Sequence, residues 1–294
     1  MRSLAVALCA LLLPASAAAS EIIDRNAKNV KLAVDARGQA LVTYNARGRT
    51  HHVRAWGAIN ARHPTRDRPQ IRFRKDYSGR YWTSFKDACR AYDGPRIAFQ
   101  VKACAAPDGS YWVLQSWRRT LPNFDGRSRR RLGSSELHLS HWSGAIATLE
   151  AWTDWVYGGR YHHLFGRLSY AGRPVHGFSA TRVGSPTDSY GRNIYVDTLN
   201  SRYGKGWRRE NAFLAHNPTG VFCYGFYRFT PRGPGNGEKY RLTVIGPGVT
   251  PDVSITVPGL HDYNPNNAAD AEYEREQNAL LDSILGVDKK CGKH

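Results

Sequence analysis

The chain has 294 residues, with 28 Gly, 16 Tyr and 8 Trp against a single Met, and a formal net charge of +18. That length suits one large β domain or two small ones with an ample core, and the composition favours strands and turns over a helical bundle. No stretch approaches the ~20 apolar residues that a membrane-spanning helix needs, so no membrane span is expected.

The N-terminus, MRSLAVALCALLLPASAAAS, carries one Arg, a short apolar run from Leu4 to Leu13 and small residues up to Ser20. This is the shape of a secretory signal peptide, so residues 1–20 are expected to be removed and the protein to be secreted. Cleavage is expected near Ala19–Ser20 or Ser20–Glu21. Cys9 follows Leu8, where a lipoprotein signal needs a small residue, so lipidation is not expected.

Four cysteines remain after cleavage, and an even number in an exported chain reads as disulfides. Sequential pairing, Cys89–Cys104 and Cys223–Cys291, is the expectation. The shorter loop would contribute about 3 kcal/mol in the chain-entropy picture. No C-x-x-C clip supports a zinc site in their place.

From Lys31 the chain reads as a meander: KLAVD, ALVTYN and THHVRAW, joined by Asp35-Ala-Arg-Gly38 and Asn45-Ala-Arg-Gly48. Asp or Asn first and Gly fourth is type I turn chemistry. The turn does not recur at a fixed period, which excludes a propeller-like array. Residues 60–80 are rich in Arg and Pro and are expected to be irregular. A short helix is predicted over residues 83–92, TSFKDACRAY, stopped by Asp93-Gly94-Pro95. IAFQVKACA and SYWVLQSW then form a hairpin about Pro107-Asp108-Gly109, and Cys104 would fasten the helix to it.

Beyond a basic loop ending in Gly126–Gly133 come ELHLSHW and then TLEAWTDWVYGGRYHHLFGRLSY, residues 148–170. Gly158-Gly159 supplies the two positive-φ positions of a type I′ turn. Pairing Tyr157 with Arg160 then fixes the whole ladder. One face carries Leu149/Leu168, Ala151/Gly166, Thr153/Leu164 and Trp155/His162, mostly apolar and expected to face a core. The other carries Glu150/Arg167, Trp152/Phe165, Asp154/His163 and Val156/Tyr161, matching charge with charge and ring with ring. A slip of one residue would scramble both faces.

A return strand through Val175 is expected next. Further strands are predicted at residues 193–199, 221–229, 239–246 and 252–257, the first two separated by a Gly-, Arg- and Asn-rich loop. AADAEYEREQNALLDSILG then reads as a helix with Asn267 as N-cap and Gly286 as stop. Tyr273, Leu280, Leu281, Ile284 and Leu285 give it an apolar face that could dock. The fold class is therefore mainly β: an antiparallel sandwich or distorted barrel over residues 21–260, with one short internal helix and an acidic helical extension, residues 261–294, docked on it.

Residues 261–294 hold seven acids and four bases, leaving a β body near +20. Such a field gathers polyanions. No nucleic-acid-binding fold signature accompanies the charge, so nucleic acid is not the expected partner. Neither His162/His163 nor His138/His141 would lie on one strand face, and no H-E-x-x-H occurs, so no metal or cofactor is expected. Asp154 opposite His163 is the acid–base candidate, a carboxylate able to orient an imidazole, with a purely structural cross-strand polar pair as the alternative. No Ser or Cys nucleophile attaches to it. Glu150 and Asp154 would lie about 13 Å apart along the strand, long for a glycosidase pair. Trp152, Tyr161, His163, Phe165, Arg167 and Glu150 form the candidate binding face, aromatics beside charges that suit a sugar or amphipathic ligand; the alternative is that another layer of the protein covers this face, since large aromatics are usually mostly buried. The function expected is binding of an anionic polymer or carbohydrate at the cell surface, with a secreted hydrolase acting on polysaccharide as the alternative.

Overall fold

The computed structural model describes residues 20–57, 73–118, 134–156, 158–159, 161–170, 172–174, 177–180, 186–188, 193–198, 208–213, 220–227, 239–245 and 250–285. Over these it is mainly β, with antiparallel sheets and one C-terminal α-helix, as the strand-rich, turn-rich sequence predicts. The apolar run of residues 4–13, the basic run ending at Gly133, and Cys291 lie outside the described residues.

The first half contributes β1 (Glu21–Arg25), β2 (Lys28–Val34), β3 (Ala40–Ala46), β4 (Arg49–Gly57), β5 (Phe73–Asp76), β6 (Gln100–Ala105), β7 (Tyr111–Arg118) and β8 (Ser135–Trp142). They form two four-stranded sheets, ordered β1-β8-β7-β6 and β2-β3-β4-β5. Their inner faces meet in a core that includes Val34, Val42, Tyr44, Val53, Trp112, Leu114, Leu137 and Leu139. Turn chemistry sets the meander. Gly38 sits at φ +73°, and its N–H bonds to Asp35 O. The second turn is tighter than predicted: Ala46 pairs with Arg49, and Arg47 and Gly48 both take positive φ.

The second half contributes β9 (Ala147–Val156), β10 (Tyr161–Tyr170), β11 (Arg173–Pro174), β12 (Gly177–Ala180), β13 (Pro186–Asp188), β14 (Asn193–Thr198), β15 (Arg208–Phe213), β16 (Val221–Tyr227), β17 (Lys239–Ile245) and β18 (Ser254–Pro258). One sheet joins β9, β10, β16 and β11; the other runs β15-β14-β17-β18, and β12 pairs with β13. Their shared core takes Leu149, Leu164, Leu168 and Phe222 from one sheet and Val196, Tyr240, Leu242, Val244 and Val257 from the other. Phe73 of β5 packs against this core and the first one, tying the two halves together.

The β9–β10 ladder has the predicted register at every position from Tyr161↔Val156 to Tyr170↔Ala147. Gly158 and Gly159 take φ +63° and +79°. The apolar face points into the second core, where Thr153 also donates to Pro258 O at 3.0 Å. The opposite face is covered by α1 (Ala268–Leu285), whose Leu280, Leu281 and Ile284 pack with Phe165, Trp152, Val221 and Cys223. The capping residue is the predicted one: Ala269 N–H donates to Asn267 Oδ1 at 3.0 Å. Gly286 lies outside the described residues.

Three expectations are corrected. Residues 83–92 are not a helix: only Tyr81–Thr83 makes a 3-10 turn, and the chain then runs without regular structure to an Arg90↔Ala105 bridge. Asp87 Oδ1 accepts the N–H groups of Val34 and Cys89, Ala88 N–H donates to Val34 O, and the Cys89–Cys104 disulfide fastens the segment to β6. These bonds satisfy the backbone without a helix and override helical propensity. Residues 73–76, expected to be irregular, form β5, because β4 offers them an open edge. The polar loop after Thr198 contains β15, which pairs with β14. The strand β1, absent from the sequence reading, pairs with β8.

Candidate functional site

Antiparallel pairing sets Asp154 of β9 opposite His163 of β10, and Asp154 Oδ1 lies 2.7 Å from His163 Nδ1. Both side chains are buried, Asp154 completely. Asp154 Oδ2 is buried without a hydrogen-bond partner. Burial pushes the Asp154 carboxyl above its ordinary range, opposed by its bond to His163 and the imidazole's charge. From α1, Tyr273 donates its hydroxyl to Thr153 O at 2.9 Å, and Tyr273 and Glu274 both lie within electrostatic reach of Asp154. The pair therefore sits between sheet and helix.

The same face places Trp152 and Phe165 with ring centroids 5.9 Å apart, Phe165 fully buried beneath α1 and Trp152 half-buried. Glu150 and Arg167, at the far end of the ladder, reach solvent, where Arg167 donates to both carboxylate oxygens. Tyr161 continues the ladder opposite Val156. His162 turns the other way and meets Tyr240 Oη at 3.0 Å, so the two adjacent histidines face opposite sides as strand geometry requires. The structure brings Glu150, Trp152, Asp154, His163, Phe165 and Arg167 together on one face, and α1 covers the Trp152/Phe165 part of it.

An open cleft lies on the first half. It holds about 420 Å³ and is lined by the β2–β3 turn (Asp35, Ala36, Arg37), Arg54 of β4, Tyr81, and the segment Ser84–Ala88. Arg54 donates to Gln39 Oε1 through two nitrogens, and its guanidinium lies 5.6 Å from the Trp56 ring and 5.9 Å from the Tyr81 ring. Tyr81 is fixed in turn, since its Oη accepts from Arg54 N–H and reaches Asp76 O at 2.6 Å. Each acid spends one oxygen on backbone: Asp35 Oδ1 accepts from Arg37 and Gln39, Asp87 Oδ1 from Val34 and Cys89. Arg37 and Lys86 are exposed and enter no ion pair among the described residues. The cleft thus offers cations, carboxylate oxygens and the half-buried rings of Tyr81 and Phe85 around one volume.

No sequence signal marks this cleft, because its walls come from three separate stretches, one of them misread as helix. Its only trace is the Asp35-Ala-Arg-Gly38 turn. Among the described residues, no group of three or more His, Cys, Asp and Glu side chains could hold a metal ion, and no helix is long and apolar enough to cross a membrane. No protein-family model matches the chain, and no curated protein or solved structure matches it.

Proposed function

We propose that the protein is an exported, cell-surface module that binds an anionic carbohydrate, and that the cleft around Arg37, Arg54 and Lys86 is where it binds. The observation that carries this reading is the lining of the 420 Å³ cleft. Cations suit a sulfate or carboxylate on the sugar. The carboxylate oxygens that Asp35 and Asp87 do not spend on backbone can accept from sugar hydroxyls. Tyr81 and Phe85 offer flat apolar surface to the ring. A bare polyphosphate would use the cations and be repelled by the two acids, so a sugar polyanion fits better. The positive β body would raise the local concentration of such a polymer. The secreted-hydrolase reading has no comparable support, since Asp154 and His163 are both buried under α1.

The test is calorimetric titration of the full mature chain with a sulfated oligosaccharide and with an uncharged dextran oligosaccharide. Saturable binding of the first alone is expected. The double substitution Arg37→Gln, Lys86→Gln should weaken it by about tenfold or more, roughly 1.4 kcal/mol. Equal affinity of variant and wild type would remove the cleft from the account, and equal binding of dextran would remove the anionic requirement.

A further inference from the structure

A second polar cluster, unrelated to the cleft, is buried at the junction of the two halves. Ser20 is fully buried immediately before β1, and its Oγ lies 2.9 Å from Asp252 Oδ2 and 2.9 Å from His138 Nδ1. His138 Nε2 is 3.2 Å from Glu136 Oε2, and the imidazole stacks on Trp117 at 4.0 Å. Asp252 is locked to the first half a second time, because Gln115 Nε2 donates to its carbonyl and its N–H donates to Gln115 Oε1, both at 3.0 Å. Glu136 and Asp252 are both buried acids, at 2% and 1% exposure. The adjoining strand is anchored strongly: Lys75 pairs with Glu21 at 2.6 Å, and Asp24 holds Arg47 and Tyr44.

The sequence offers two cleavage points for the leader, before or after Ser20. Cleavage after it would discard the residue that bridges Asp252 and His138. We propose that processing occurs at the Ala19–Ser20 bond and that the α-ammonium so created is held in this socket by Asp252, locking the two halves together. The inference rests on the reading of residues 1–19 as an export leader. Hydrolysis by a leader peptidase adds hydroxyl from water to the Ala19 carbonyl carbon and hydrogen to the Ser20 nitrogen, which takes a further proton from solvent. Within one serine, nitrogen and Oγ are about 3 Å apart, so the ammonium lies within about 6 Å of the Asp252 carboxylate. A cation placed there sits beside the buried Asp252 carboxylate, where opposite charge has its greatest effect, while Glu136 lies beyond the His138 ring and is already paired with Arg25. Before cleavage the same nitrogen is a neutral amide and supplies no charge.

Two measurements test this separately from the export reading. Intact mass of the full chain exported from a bacterial host should give a product beginning at Ser20. A start at Glu21 or an unprocessed chain would overturn the proposal, the latter together with the export reading. Independently of export, chain beginning at Ser20 can be released from a fusion and compared with one carrying a single added Ala before Ser20. The extended chain should melt lower, and Asp252→Asn should lower the melting temperature of the Ser20 form while leaving the extended form nearly unchanged. Cyanate should modify the α-amine about tenfold more slowly in the native Ser20 form than in urea, the factor given by a one-unit rise in amine pKa. Equal melting of the two forms, or an amine as reactive folded as unfolded, would overturn the socket even if cleavage falls where proposed.

Discussion

Asp154 enters the interior with one oxygen bonded to His163 and the other without a partner. Burial raises its carboxyl above the ordinary 3.8, so the native state holds the proton more tightly than the unfolded chain does. The stability this gives is fully present below the unfolded value and is lost as pH rises through the folded one. His163, Tyr273 and Glu274 face the same carboxyl, and burial raises Glu274 likewise, with Asp154 adding to the effect. Asp154→Asn keeps the size and removes the ionisation. Urea unfolding from about pH 4 to 7 should show the variant gaining on wild type as pH rises, by about 1.4 kcal/mol for each unit of pKa elevation. A difference independent of pH would mean that the carboxyl is not raised. Gly166 offers a steric counterpart: a Cβ there would lie 2.0 Å from Glu150 O and 2.9 Å from Ala151 Cα, both backbone atoms. Because backbone cannot swing aside, Gly166→Ala should cost more than about 3 kcal/mol, the upper end for overpacking, or prevent folding. A soluble variant with wild-type melting would show that the strands can part there.

At the scale of elements, the β9–β10 hairpin organises what surrounds it. One face closes the second core, the other receives α1, and the turn holds the approach to the helix. Gly159 lies against Tyr263, and Trp155 donates its indole N–H to His261 O while contacting the His261, Tyr263 and Tyr273 rings. Asp270 secures the helix start: His261 Nε2, Asn264 N–H and Asn267 Nδ2 all reach its carboxylate within 3.2 Å. Asp270→Ala should therefore destabilise the protein by about 1–3 kcal/mol, the cost of leaving such donors unmet, measured by chemical denaturation. A change within about 0.5 kcal/mol would place these donors in water instead. The hairpin register was legible because two glycines and eight alternating oppositions all point to one answer, and the helix because its cap and propensity are local. What covered the Trp152/Phe165 face was not legible, since docking depends on residues a hundred positions away. Residues 83–92 misled for the same reason: Val34 and Cys104, not their neighbours, decide their backbone. Strand β1, five residues long, was too short to show a pattern of its own. The cleft inherits both blind spots, being built from a turn, a strand and that misread segment.

For the whole molecule, charge and architecture point in different directions. The docked tail is net negative, so the β body carries about two units more positive charge than the whole chain. A diffuse field and a specific cleft would both retain the protein on a sulfated matrix, but they answer differently to salt and substitution. The field acts over the Debye length, about 10 Å at 0.1 M salt and 3 Å at 1 M, and is screened accordingly. Contacts inside the cleft, where cation and anion touch, are screened less. Wild-type protein should bind a sulfated resin tightly at low ionic strength and elute as salt approaches about 1 M. The Arg37→Gln, Lys86→Gln variant removes two charges of a body near +20, so it should still bind the resin and elute only modestly earlier, while losing the saturable titration with short oligosaccharide. Loss of both together would assign the attraction to the cleft alone, and retention unchanged by salt would exclude charge as its source. If the short oligosaccharide bound the variant as well as wild type while the resin showed steep salt dependence, the positive field would be sufficient and the cleft would have no part in recognition.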